Sequence, residues 1–310
     1  MDCRTRNPSC CKEESGLTRK FRKKSLKYDR IAYLFILPFF LVFSYFYFIP
    51  AFQVILDSFT DYDLFTSRNF VGLANYQALL TDDKFIQSVQ NTFLYTIFTL
   101  FPTLALGLLL ASLANSALIK SKISRMLIFM PHVVSMVAVS MIWIFLYEPT
   151  NGIFNGILRA FGLQEYNYLL DPNMALPCLI VMGIWKGVGY NMVIFLSGLK
   201  SIPEQYYEAA KLDGSSALHT FFRITLPLLS PTTSFLLITG LISSFNVFEQ
   251  VNIMTSGGPL YRTTTIVHQI YLNGFSQYKL GYASAMSVVL LVIIMIISAV
   301  NFKLTQEKEA

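Results

Sequence analysis

Long uncharged runs alternate with shorter polar stretches along this chain, and six of the runs are long enough to cross a lipid bilayer. A hydrocarbon core of about 30 Å takes about 20 apolar residues in a helix. No Asp, Glu, Lys or Arg falls within Ile31–Leu56, Phe85–Ile119, Met126–Tyr147, Ile224–Phe248 or Leu280–Phe302. The remaining run, Met174–Leu199, holds one lysine, Lys186. Backbone N–H and C=O groups in lipid must bond within their own segment, so each run is predicted as a helix. The pattern gives an all-α polytopic bundle within residues 31–302, with spans at about 31–56, 89–117, 124–147, 174–199, 228–250 and 281–302. A tail, 1–30, precedes it and a short one, 303–310, follows. Pro38, Pro50, Pro102 and Pro131 are expected to kink their helices or mark their ends.

Composition agrees with the pattern. Hydrophobic residues make up 54% of the chain and charged ones 14%, with a mean hydropathy of +0.51; a soluble globule carries about a quarter charged residues. The first run is too long for the apolar part of a signal peptide, and no small-residue cleavage pattern precedes Asp57-Ser58-Phe59, so it is predicted as a permanent span. Charge sets the expected orientation. The tail holds Arg4, Arg6, Lys12, Arg19, Lys20, Arg22, Lys23, Lys24, Lys27 and Arg30. With that tail cytoplasmic, the inner segments add Lys120, Lys122, Arg125, Lys200, Lys211, Arg223, Lys303 and Lys308, against Arg68, Lys84, Arg159, Arg262 and Lys279 outside. Both termini are therefore expected in the cytoplasm, and the net charge of +6 is topogenic, with no nucleic-acid partner implied. Outside loops are expected at about 57–84, 148–173 and 249–279. Cys3, Cys10 and Cys11 fall in the tail and Cys178 within a span, while His132, His219 and His268 are scattered, so no metal site is predicted.

Small residues allow helices to approach closely in lipid. Gly281 and Ala285 form one such pair, and Gly107, Ala111, Ala114 and Ser116 line another span; both sets are expected to be packing faces.

The inside segment 200–227 carries the most specific pattern. Ser201-Ile202-Pro203-Glu204 has the spacing of a capping box with proline in the first turn. Helix-favouring residues run from Gln205 to Asp213, Gly214 suits a helix end, and Ser215 or Ser216 can cap a second helix through Ile224, with Pro227 at its end or at a kink. Ile202, Tyr206, Ala209 and Ala210 share one face, and Glu204, Glu208 and Lys211 another. Periodicity leaves two readings open: an amphipathic helix on the lipid surface, or a flat Ala209-Ala210 surface against another protein, with Glu208 pairing a cation there.

Glu208-Ala209-Ala210, then Gly214, then Ile224, Leu226 and Pro227 match the pattern E-A-A-x3-G-x9-I-x-L-P without departure. In this the chain resembles the permeases of binding-protein-dependent ABC importers, whose loop of this pattern forms coupling helices seated on an ATPase subunit. Trp185-Lys186-Gly187-Val188-Gly189, Tyr206 to Gly214, and Gly257-Gly258-Pro259 with Thr263 resemble the carbohydrate-uptake branch. The resemblance implies an inner-membrane subunit of a bacterial importer working with ATPase subunits, a second permease, an extracytoplasmic sugar-binding protein and a sugar. No G-x-x-x-x-G-K-[ST] occurs, so no phosphate-cradling loop is predicted, this chain is not expected to be an enzyme, and ATP and Mg are expected on the partner ATPase.

The substrate path is expected around Lys186, which at a cost of about 2.5–3.5 kcal/mol must face a partner group or a wet cavity. Asn191 lies on nearly the same side. Asn246, Glu249, Ser243, Ser244 and Gln250 cluster on the next span, and Trp185, Phe245 and Phe248 offer faces on which a sugar can stack. The alternative is that these groups only join helices, or that Lys186 pairs with Glu249. Glycerol phosphate or an amino sugar is the alternative cargo, and an ion-driven transporter the alternative class.

Overall fold

The computed structural model describes residues 33–65, 68–115 and 121–309, with side chains to residue 303. The tail 1–30 with its cations and three cysteines, Ser116 and Lys120 therefore lie outside the described residues, as does the side chain of Lys308. Apart from one isolated bridge between Thr60 and Phe70, the regular structure among the described residues is helical. The chain divides into two units, residues 1–56 and 57–310.

The described part of the first unit, residues 33–56, is all helix α1 (Tyr33–Asp57), whose last residue begins the second unit. Pro50 has no N–H to return to the preceding turn, and the helix widens into a π turn at Ser44–Phe48 just before it. Phe39, Phe43 and Tyr47 stack four residues apart, with centroids 5.6 and 4.7 Å apart.

In the second unit, α2 (Ala74–Thr81) leads into the long α3 (Asp83–Asn115), which passes through Pro102 without ending. The third predicted span is not one helix. It is α4 (Lys122–Val133) and α5 (Met136–Leu146), bent by 97° at Val134-Ser135. Hydropathy stays high across the break, which is why the run reads as continuous. Pro131 removes a backbone donor at the end of α4, and Val134 and Ser135 are extended. After α6 (Ile153–Ala160) comes α7 (Ala175–Ser201), then α8 (Glu204–Leu212) and α9 (Ala217–Thr220).

The fifth predicted span is also interrupted. From α9 the chain passes through a π turn, Phe221–Thr225, and a short turn, Leu226–Leu228, into α10 (Ser230–Phe245). It leaves helical geometry at Asn246–Phe248 and resumes as α11 (Glu249–Met254). The expected outside loop 249–279 is itself largely helical and partly buried. It holds α11, α12 (Ile266–Tyr271) and a π turn at Leu272–Ser276, and Thr263, Thr264, Thr265, His268 and Gln269 within it are buried. Polar groups on α3 receive this segment: Asn91 Nδ2 donates to the carbonyls of Tyr261 (3.0 Å) and Thr264 (2.9 Å), and the N–H of Ile266 donates to Thr92 Oγ1 (3.1 Å). The last helix, α13 (Leu280–Glu309), runs on into the predicted tail as far as Glu309, and the Leu, Gln, Glu and Lys there favour helix.

Three apolar clusters hold this unit. One gathers Tyr95, Trp143, Leu179, Met182 and Val251; a second Leu104, Met192, Phe195, Leu229 and Leu236; a third Leu79, Phe85, Phe245, Ile266 and Met286.

Helices α3 and α7 meet along matched stripes four residues apart. A Cβ on Gly183 would strike the Tyr95 hydroxyl, one on Gly187 would lie 3.0 Å from Thr103 Cγ2, and one on Gly107 would lie 2.6 Å from Asn191 Cβ. The pairs advance in the same sense on both helices, so the two spans run parallel. Gly107 thus has the packing role expected of it. Gly281 instead faces the loop before α2, its N–H donating to the Tyr62 carbonyl at 2.8 Å.

Candidate functional site

A cavity of about 770 Å³ opens between α3, α7, α10 and the two breaks. Lys186, Asn191, Asn246 and Glu249, all predicted for the substrate path, line it. So do Ser243, Ser244, Phe248 and Gln250. Two predicted residues do not. Phe245 is buried against Phe93, edge to face at 5.2 Å, because its position on α10 points into the third apolar cluster. Trp185 turns away from the cavity and meets Trp143 of α5 at 5.6 Å.

Lys186 is committed. Its Nζ donates to the carbonyls of Pro131 (3.2 Å), His132 (3.2 Å) and Val134 (2.6 Å). An ammonium has three N–H groups, and all three meet backbone oxygens left without helical partners by the break. Its neighbours on α7 grip the same broken span. Tyr190 stacks on His132 at 4.8 Å, and Gly189 lets α7 close on the carbonyl of Ile128, where any side chain would collide. The stretch from Trp185 to Tyr190 is therefore a splint across the break. Asn191 is committed in part, its Nδ2 donating to the Gly187 carbonyl at 3.0 Å, and Asn246 Nδ2 donates to the Ile242 carbonyl at 2.8 Å.

Sequence reasoning missed Tyr95, Thr99 and Thr103, which line the cavity from α3. Their four-residue spacing in an otherwise apolar run was the available signal. Tyr95 accepts a hydrogen bond from Gln250 Nε2 at 2.9 Å, tying α3 to α11.

The segment after α7 is a helical hairpin. Ser201 is not the cap expected: it ends α7, its hydroxyl donating to the Gly198 carbonyl (2.7 Å), and Pro203 stands at the N-cap of α8. Proline disfavours helical geometry in the residue before it, so Ile202 is extended and the helix starts two residues later than a Ser201 cap would set it. The far end follows the expectation more closely. Gly214 has φ +69, its N–H donates to the Lys211 carbonyl (3.1 Å), and the Ser215 N–H donates to that of Ala210 (2.9 Å), the paired closure of a glycine-ended helix. Ser216 caps α9, accepting from the His219 N–H. Of the residues in the E-A-A pattern, Glu208 and Ala209 are exposed and Ala210 is buried; Ile224 and Leu226 are half-buried and Pro227 is exposed. At the tip Leu212 and Leu218 stand 89% and 72% exposed, more than a water-facing hairpin of this size needs to show.

A family profile described as "Binding-protein-dependent transport system inner membrane component" matches residues 103–307, the region that holds the hairpin and most of the cavity lining. The chain belongs to that family. This permease is 34% identical over 280 residues to the sn-glycerol-3-phosphate transport system permease protein UgpA of Agrobacterium fabrum, covering 90% of this chain and 95% of that one. It is 37% identical over 297 residues to the probable ABC transporter permease protein YesP of Bacillus subtilis, covering 93% and 95%. Among solved structures it is similar to a chain of a bacterial alginate ABC transporter in complex with alginate pentasaccharide-bound periplasmic protein. The match has a TM-score of 0.80 at 25% identity and covers 90% of this chain and 94% of that one. A second alginate transporter structure gives a TM-score of 0.82, also at 25% identity. The permease is a multi-pass membrane protein and a translocation subunit.

Proposed function

We propose that this permease is the membrane-spanning subunit of an ATP-driven, binding-protein-dependent importer of a neutral sugar or oligosaccharide in a bacterial cell membrane. A second permease completes the pore, an extracytoplasmic sugar-binding protein delivers the cargo, and separate ATPase subunits bind ATP and Mg and hydrolyse the nucleotide. Both termini and the hairpin α8–α9 lie in the cytoplasm, where Glu208, Ala209, Ala210 and the apolar tip meet the ATPase. Closure of the ATPase pair displaces the hairpin and rocks the spans.

The observation that carries the choice of cargo is the chemistry of the cavity. Hydroxyls, amides and aromatic faces line it, and its one lysine is held by three carbonyls while Glu249 adds a carboxylate. A phosphate would find no uncommitted lysine or arginine among the described lining residues. A sugar finds the donors, acceptors and ring faces it needs. Some relatives are named for glycerol phosphate, so cargo decides between the readings. The test is uptake into proteoliposomes holding the permease, its ATPase, its partner permease and a panel of binding proteins. ATP-dependent uptake of a neutral sugar is expected. Uptake of glycerol phosphate with none of the sugars would refute the cargo, and uptake driven by an ion gradient without ATP would refute the class.

A further inference from the structure

The splint on α7 has a second end. Helix α7 runs without interruption from the Lys186 clamp to Ser201, and only Ile202 and Pro203 separate it from α8. Fifteen residues of helix place the clamp about 22 Å from that junction. Ile202 packs into the same apolar cluster as Leu199 and Leu229, so the junction is seated in the bundle. On the far side of the clamp, His132 and Met136 flank the break and line the cavity. Side chains of α7 span the break, Lys186 at its centre, Tyr190 on α4 and Trp185 on α5, while α11 packs against α5.

We infer that Lys186 is a positioning residue of the transport cycle: its ammonium fixes the broken third span to α7, so that a displacement of α8 reaches the cavity wall at His132 and Met136. Lysine suits this task because it reaches three divergent carbonyls at once and keeps them bonded while α7 moves as a rod. It acts on the cargo through the wall it holds and makes no contact with it.

The experiment has two arms. Uptake and ATP hydrolysis are measured in proteoliposomes with the whole transporter, comparing Lys186→Arg and Lys186→Met with the wild type. Arginine keeps several donors at the carbonyls and should hold uptake within about threefold. Methionine keeps bulk but no donor, and should cut maximal uptake about tenfold or more for every cargo while ATP hydrolysis continues. The half-saturating concentration of loaded binding protein should stay unchanged. Wild-type turnover in the methionine variant overturns the inference. A raised half-saturation for one cargo and not another also overturns it and makes Lys186 a cargo ligand. This arm rests on the importer reading.

The second arm does not, and it needs neither cargo nor ATPase. Trp143→Cys and Trp185→Cys are combined in a chain with Cys3, Cys10, Cys11 and Cys178 replaced by alanine, and membranes are treated with a short bifunctional thiol reagent. The cross-link should form with Lys186, be lost with Lys186→Met, and return with Lys186→Arg. Undiminished cross-linking in the methionine variant shows that the break holds its place without the ammonium, and overturns the inference even where transport fails.

Discussion

Asn91→Ala tests how the segment 249–279 is held inside the bundle. The side chain is buried and donates two hydrogen bonds, to the carbonyls of Tyr261 and Thr264, while its own oxygen accepts from Gln87 Nε2 at 2.9 Å. The two acceptors are not equivalent. The Tyr261 carbonyl keeps a second donor, the N–H of Thr264 at 3.2 Å, whereas Asn91 is the donor shown to the Thr264 carbonyl. A buried acceptor left without its donor costs about 1–3 kcal/mol, and polar bonds between membrane helices average about 0.6 kcal/mol. Taking the Thr264 bond within the first range and the Tyr261 bond near the second gives a loss of about 2 kcal/mol, or about 30-fold in the unfolding equilibrium. The assay is denaturant titration of the purified permease in mixed micelles, with Lys84→Ala as the control. Lys84 lies over the Tyr261 ring at 4.8 Å on the same segment, and loss of that cation–π contact at an exposed site is worth about 0.5–1 kcal/mol. An Asn91→Ala loss no greater than that of the control would show that packing, and not these two bonds, holds the segment.

Gly214→Pro cannot reach φ +69 and should leave the permease in the membrane while uptake falls away from ATP hydrolysis; normal uptake in that variant sinks the coupling role of the hairpin. Gly214→Ala is its control, since a Cβ there meets open space and strain is limited to about 1–2 kcal/mol, so uptake should persist. The loop after α5 should respond to acid. The Thr150 hydroxyl, then the N–H groups of Asn151 and Thr150, hold the Glu148 carboxyl below its ordinary value. A depressed folded value means the contribution is complete above the ordinary glutamate pKa of about 4.3 and is lost as pH falls through the lower folded value. Amide exchange at Thr150 and Asn151, corrected for intrinsic rate, should rise only below about pH 4. Glu148→Gln should remove that step, and an unchanged profile in the variant would assign it to another group.

The features legible in the sequence were those set by local chemistry. Gly214 ends a helix because its own conformation and two N–H groups next to it close the turn, and the Glu208-Ala209-Ala210 pattern lies within a few residues of it. The break at Val134-Ser135 was not legible, because the lysine that bonds it lies 52 residues from Val134 on another helix. Hydropathy sees apolar residues on both sides and no charge. The missing sign was there in another place: Lys186, the single charge in the fourth run, answers the carbonyls of the third. Phe245 shows the opposite failure. Its aromatic ring beside Asn246 suggested a stacking face, yet one residue of helical rotation, about 100°, carries it from the cavity into the core. Tyr95, Thr99 and Thr103 were overlooked since each alone is unremarkable in a span, and only the glycines opposite give their spacing a partner.

The three oxygens at the break also bear on what this membrane path lets through. Unwound backbone carbonyls beside a helix C-terminal end are the ligands with which ion-coupled carriers hold sodium or a proton carrier at mid-membrane. Here the three carbonyls are met by an ammonium that is part of the chain and cannot leave. The discontinuous span therefore has its bend with a tethered counter-ion: the negatively polarised point beside the cavity is met by a cation of the chain itself.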